Sequence, residues 1–184
     1  MNPNPTTRFY QVRAVEHRSE WARIWITDDG CISILSDYGN YGYWFGAPGG
    51  EFRRFLTNCG DDYITNKLSE GRRNLDQRAT ELNAKRLVLR ARRDRSIDRE
   101  TARDEWNAVR DVEWDNEYSR SKWYFEETKL VDYGATEVLV YDYPQQLQAF
   151  VRVLWPVFIA ALTEEIKREE AAPRVGIRTP EALG

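Results

Sequence analysis

The chain is poor in the residues that most often carry chemistry. Among its 184 residues it holds one histidine, His17, two cysteines, Cys31 and Cys59, and one methionine. A single histidine excludes a His–His metal pair, and a Cys–His site would need Cys31 or Cys59 to meet His17 from afar. No serine sits in a nucleophile elbow, so a Ser–His–acid triad has no motif to build on. Neither a P-loop nor a GxGxxG run occurs, which removes the common phosphate cradles. No catalytic residue, metal or cofactor is therefore expected. Two cysteines are too few for a secreted disulfide framework, and the start, "MNPNPTTRFYQV", has no apolar h-region or cleavage pattern. Both thiols are expected to be free and partly buried. No apolar run reaches the ~20 residues of a membrane span. The nearest, "VLWPVFIAAL" at 153–162, reads as core helix, and no membrane partner is expected. The net charge of −3 names no partner either.

Aromatic residues are abundant, with 7 Trp, 10 Tyr and 7 Phe to fill a core. From Tyr10 to Glu16, Tyr10, Val12 and Ala14 alternate with Gln11, Arg13 and Val15 as in a strand. "EWARIWIT" sets Ala22, Ile24 and Ile26 against Trp21, Arg23 and Trp25. Asp29-Gly30 then precedes "CISILS" and reads as a hairpin turn with both turn residues at positive φ. "YGYWFG" adds a fourth strand, so 9–46 reads as an antiparallel meander. "EFRRFL" places Phe52, Phe55 and Leu56 on one helical face. "DDYITNKL" reads as a second short helix that buries Ile64 and Leu68, with Asp61 as N-cap. Further on, "TEVLVYDY" reads as a strand. From Pro144 a long helix follows, with Leu147, Phe150, Val151, Leu154, Phe158, Ala161, Leu162 and Ile166 on its apolar face. Pro156 should kink it.

Residues 72–110 form a separate block with no glycine or proline and with 12 Lys/Arg against 7 Asp/Glu. Leu75, Leu82 and Leu89 recur every seven residues as one apolar stripe, and a break at Ser96, read as a new N-cap, makes the block a helical hairpin. The fold expected is α+β: an antiparallel sheet of four or five strands under a kinked C-terminal helix and two short helices. It forms a single domain over 8–184, with 72–110 as a projecting helical insertion.

Two features can bind a partner. In the hairpin, Arg86, Arg90 and Arg93 fall on one helical face or its edge, a stripe able to neutralise phosphates. The competing reading is a solvated helix whose arginines pair with Asp94, Asp98, Glu100 and Asp104. In "SDYGNYGYWFG" (36–46), Tyr38, Tyr41 and Trp44 can form an exposed aromatic ledge for a partner. Alternatively the stretch is a strand with its aromatic face under the helices. Acid pairs such as Asp28-Asp29, Asp61-Asp62, Glu126-Glu127 and Glu164-Glu165 leave open an enzyme that uses carboxylates, although turns and caps account for the first two.

That same stretch, with "WARIWITDDGCISIL" before it and "FRRFL" and "DDYITNKL" after it, resembles a family of tailed-phage and prophage proteins with an S-D-Y-G-N-Y-like strand-loop motif. The resemblance covers about residues 20–70 and extends to "VYDYPQQLQAF". It implies a protein made in the host cytoplasm and brings no catalytic residue with it; 72–110 lies outside it. The function expected first is a non-enzymatic phage accessory protein that binds a host protein or complex. Inhibition of a host defence complex, as by an anti-CRISPR protein, is one form of that function. Nucleic-acid binding through 72–110 is the second expectation and carboxylate enzymology the third.

Overall fold

The computed structural model describes residues 5–14, 16, 19–46 and 51–172. His17, the 47–50 break and the tail from position 173 lie outside them. In chain order the elements are β1 (Thr7–Arg13), β2 (Trp21–Thr27), β3 (Cys31–Ser36), β4 (Gly39–Trp44), α1 (Glu51–Asn58), α2 (Asp61–Leu68), β5 (Asn74–Leu75), α3 (Gln77–Arg93), α4 (Arg99–Asp111), α5 (Glu117–Lys122), a π turn (Trp123–Glu127), two 3-10 turns (Val131–Tyr133 and Ala135–Val138), β6 (Tyr141–Asp142), α6 (Gln145–Val153) and α7 (Trp155–Ala171). The fold is α+β. The chain divides into two compact units, Met1–Arg72 with Pro144–Gly184, and Arg73–Tyr143. The basic helices thus belong to a unit that runs on to Tyr143. Among the described residues no helix is long and apolar enough to cross a membrane.

In the first unit β1-β2-β3-β4 form an antiparallel meander. Register pairs Tyr10 with Ile24, Ile24 with Ile34, and Ile34 with Tyr41, so one face carries every buried strand residue. Phe52 and Leu56 of α1, Ile64 and Leu68 of α2, Leu147, Phe150 and Val151 of α6, and Trp155, Phe158 and Leu162 of α7 close over it. Ala161 is exposed, off the expected stripe. The expected long helix is bent at Leu154, where α6 gives way to α7 and Pro156 occupies the first turn of α7. Proline has no N–H to donate there, and the bend costs little because that turn's donors are unpaired in any helix.

Several local expectations need correction. Only Gly30 of the β2–β3 turn has positive φ (+93°), and its N–H donates to the Thr27 carbonyl. The turn is a longer loop with glycine in the left-handed position, not the two-residue form. Gly60, not Asp61, is the N-cap of α2, and Asp61 and Asp62 lie in the first turn, where the helix dipole favours them. Asp98, not Ser96, caps α4, accepting from the Thr101 N–H at 2.7 Å. "TEVLVYDY" forms a 3-10 turn and only the two residues of β6, which pair with β5 apart from the four-stranded sheet.

The second unit has its own core, built from Ala84, Leu87, Val88 and Ala91 of α3, Val109 of α4, and Trp114, Trp123, Leu130, Ala135 and Val138. The expected stripe of leucines is not the buried one: Leu82 and Leu89 are exposed. Small Ala84 and Ala91 let α4 approach α3 closely, and that rotates the heptad leucines outward. Buried Thr80 accepts from the Val140 N–H at 3.0 Å, and buried Glu105 accepts from Thr128 Oγ1 at 2.7 Å and the Lys129 N–H at 2.8 Å. These bonds satisfy the polar groups that the core encloses.

Candidate functional site

Among the described residues, the sheet of the first unit is covered on one face only. At its outward positions β1 carries Phe9, Gln11 and Arg13, β2 carries Trp21, Arg23 and Trp25, β3 carries Cys31, Ser33 and Leu35, and β4 carries Asn40, Gly42 and Trp44. Phe9 (52% exposed), Leu35 (37%) and Trp44 (55%) stand in solvent, and Trp21 and Trp25 are half-buried. The Phe9 and Trp25 rings pack across the strands with centroids 5.2 Å apart. The Arg23 guanidinium lies 5.6 Å from the centroid of the Trp21 ring. Trp44 is held at the rim by its indole N–H, which donates to the Asp29 carbonyl at 3.0 Å.

Register explains the relief of this face. One row across the sheet runs Phe9, Trp25, Ser33, Gly42, so two large rings give way to two positions with little or no side chain. Leu35 and Trp44 flank that low ground. No strand of this sheet contains an aspartate or glutamate, whereas Arg13 and Arg23 both point outward. The result is an aromatic surface with cationic groups and small residues, Ser33 and Gly42, between its large side chains.

The opposite face explains why Tyr41 is not part of that surface. Tyr41, Tyr43 and Phe45 turn toward the helices: the Tyr41 ring lies 5.6 Å from Phe150, and Phe45 lies 5.6 Å from Phe52 and 5.5 Å from Phe55. The Tyr41 hydroxyl donates to the Tyr38 carbonyl, which ties the turn down, and burial pushes the phenol up. Tyr38 sits beside Glu20, and its phenol is also raised, by burial first and then by the Glu20 carboxylate. The structure thus brings Tyr38 and Tyr41 together and sends Trp44 to the other face. The aromatic residues near Trp44 are instead Phe9, Trp21 and Trp25. The signal for them was present in acid-free strands whose large rings alternate with buried aliphatics.

The arginines of α3 are partly employed. Arg90 donates to the Tyr133 carbonyl at 2.7 Å, Arg86 to Asn83 at 3.3 Å, and Arg93 lies 3.5 Å from Asp94. Arg86 and Arg90 line a cavity of about 210 Å³ with Leu87, Val138 and Glu137. Arg78 and Arg92 are exposed on the same helix, whose one acid, Glu81, is held by Lys85 at 2.5 Å.

Several carboxylates of the acid pairs have structural employment. Asp28 accepts from the Thr6 N–H at 3.1 Å, and Asp29 accepts from the Thr27 hydroxyl. Glu165 and Glu169 clamp Arg8 and Arg53, with N–O separations of 2.6 Å for Arg8–Glu165 and 2.5 Å for Arg53–Glu169. The hydrogen bond from Arg53 holds the Glu169 carboxyl below its ordinary value. Tyr10 is buried beside Glu165 with no hydrogen bond of regular geometry, and burial, followed by that carboxylate, pushes its phenol well up. Cys31 and Cys59 are half-buried free thiols, both raised chiefly by burial. Among the described residues no cluster of His, Cys, Asp and Glu is placed to hold a metal ion.

Residues 3–164 match a family described as a phage family, and the chain belongs to it. No curated protein and no solved structure matches the chain.

Proposed function

We propose that this member of a phage family is a non-enzymatic accessory protein that binds a host protein through the open face of its sheet. The observation that carries the reading is the surface formed by Phe9, Trp21, Trp25, Leu35 and Trp44 with Arg13 and Arg23. Tryptophan and arginine are the residues that most often dominate binding energy at protein interfaces. A face with arginines and no carboxylate in its strands fits an acidic patch on the partner. The site of action proposed is the host cytoplasm, and the target class a protein complex such as a defence complex. The structural employment of several carboxylates of the acid pairs supports a binding role over an enzymatic one.

A second reading, nucleic-acid binding, is favoured by exposed Arg78, Arg86, Arg92 and Arg93 on α3. One experiment separates the two. A photo-cross-linking amino acid replaces Ser33 in the centre of the sheet face, and the tagged full chain is irradiated in host lysate with and without nuclease. The expected result is one protein adduct that resists nuclease, persists in the Arg86→Ala/Arg92→Ala variant and is lost in Phe9→Arg and Trp44→Glu. An adduct that survives both sheet variants overturns the proposal. Capture that vanishes with nuclease and with the arginine variant establishes the second reading instead.

A further inference from the structure

The second unit holds a pocket that the sheet-face reading does not use. It has a volume of about 280 Å³, and its lining includes Trp114, Glu117, Trp123, Phe125, Leu139 and Tyr141. Trp123, 1% exposed, belongs to its floor, whereas Phe125 is 77% exposed and Tyr141 49% exposed at its walls. A large phenyl ring left in water beside a concavity is costly unless something covers it. The local backbone produces that exposure. From Trp123 to Glu127 the chain makes a π turn, in which the Thr128 N–H donates to the Trp123 carbonyl at 2.9 Å. The wider turn keeps Trp123 in the core, where it packs edge-on to Trp114 at 5.2 Å, and leaves Phe125 outside. π turns are rare and frequent at functional sites.

A further observation bears on the occupant. The chain around the pocket is acidic: residues 113–127 hold Glu113, Asp115, Glu117, Glu126 and Glu127 against Arg120 and Lys122. Arg120 is turned onto the Trp114 carbonyl at 2.6 Å, and Lys122 is bound to Glu127 at 2.6 Å. Arg120 and Glu117 both line the pocket, but Glu117 is exposed and carries no such pair.

We propose that this pocket seats one aromatic or branched aliphatic side chain presented by a basic segment of a partner protein. The anchor covers Phe125, Leu139 and Tyr141, and flanking Lys or Arg side chains meet Glu117 at the pocket and the other acids of 113–127 beside it. The proposal stands on the second unit alone and does not depend on the sheet face.

A random 12-residue peptide library selected against the full chain tests it. Each clone is then measured against Phe125→Ala, Leu139→Arg and Glu117→Lys, all changes at exposed positions whose folding is checked by thermal melts. The expected clones carry Lys or Arg around one aromatic or aliphatic anchor. They lose at least tenfold in affinity in each variant and shift the Trp123 indole N–H resonance when bound. The proposal is overturned if no clone distinguishes the variants from the natural chain. It is equally overturned if the pocket-dependent clones are acidic or uncharged. Binding of a 15-residue oligothymidylate that disappears in the same variants would also overturn it, by making the pocket a nucleic-acid site.

Discussion

The two units bury their apolar residues by different means. In the first, an extended alternation along four strands feeds one face of a sheet, and four helices with apolar stripes close over that face. In the second, two helices meet through alanines, and the rest of the core comes from short turns held by side chains such as Thr80 and Glu105. The difference teaches where each unit can interact. A sheet with helices on one side leaves a broad, flat surface on the other. A core assembled from irregular turns leaves a concavity where the turns do not meet. Broad and concave sites suit different partners, which is why the sheet face and the Trp123 pocket are assigned separately.

The comparison is broken most directly by core truncation. Leu154→Ala in the first unit and Leu87→Ala in the second should each cost about 2–5 kcal/mol, since both side chains are buried. Leu89→Ala, at a heptad position but exposed, should stay within about 0.5 kcal/mol. Urea melts of the three variants check this, and a loss at Leu89 equal to that at Leu87 would restore the heptad stripe.

A smaller effect tests the clamp region of the first unit by pH. Burial and Glu165 raise the Tyr10 phenol in the folded state, so the neutral form is favoured there. Its contribution is whole below the ordinary phenol value, about 10, and is lost as pH rises beyond it, at up to about 1.4 kcal/mol per pH unit. Tyr10→Phe should flatten that alkaline loss. It should leave stability at neutral pH unchanged or higher, because the hydroxyl it removes has no regular partner. Denaturant melts between pH 7 and 11 read both effects.

The smallest effect sharpens the contrast in the second unit. α3 ends with Arg95 at φ +59°, where the Arg95 N–H donates to the Arg92 carbonyl and the Ser96 N–H to the Ala91 carbonyl. This is the helix-ending pattern that glycine usually supplies. Arg95→Gly should therefore stabilise by roughly 1 kcal/mol, read as a shift in melting midpoint. A destabilisation would mean that the arginine side chain holds the turn.

Much of the first unit was legible because strands and amphipathic helices write burial into the spacing of side chains. Alternation alone assigns Ala22, Ile24 and Ile26 to one face of a strand, and helical spacing does the same for Phe52 and Leu56. The second unit was less legible for a physical reason. Leu82 and Leu89 satisfy a heptad, yet the alanines Ala84 and Ala91 permit closer helix packing and take the buried side. "TEVLVYDY" has strand composition, but its backbone finds β5 for only two residues. The candidate surfaces were legible only in part. Trp21, Arg23 and Trp25 were recognisably on one face, but whether that face met helices or water depended on which side α1, α2, α6 and α7 covered. Nothing in the spacing of 113–139 marked a pocket, because its walls come from α5, the π turn and the segment after a 3-10 turn.

The sequence by itself determined the meander, the helix that bends near Pro156, the scarcity of catalytic side chains and the basic character of α3, since each follows from local periodicity or from composition. Only the tertiary structure decided that the Trp44 side of the sheet meets water while the Tyr41 side meets helices, that the heptad leucines face water, and that Trp123 and Phe125 frame a concavity. Those outcomes depend on which surfaces pack against each other, and packing is set by the shapes of residues distant in the chain.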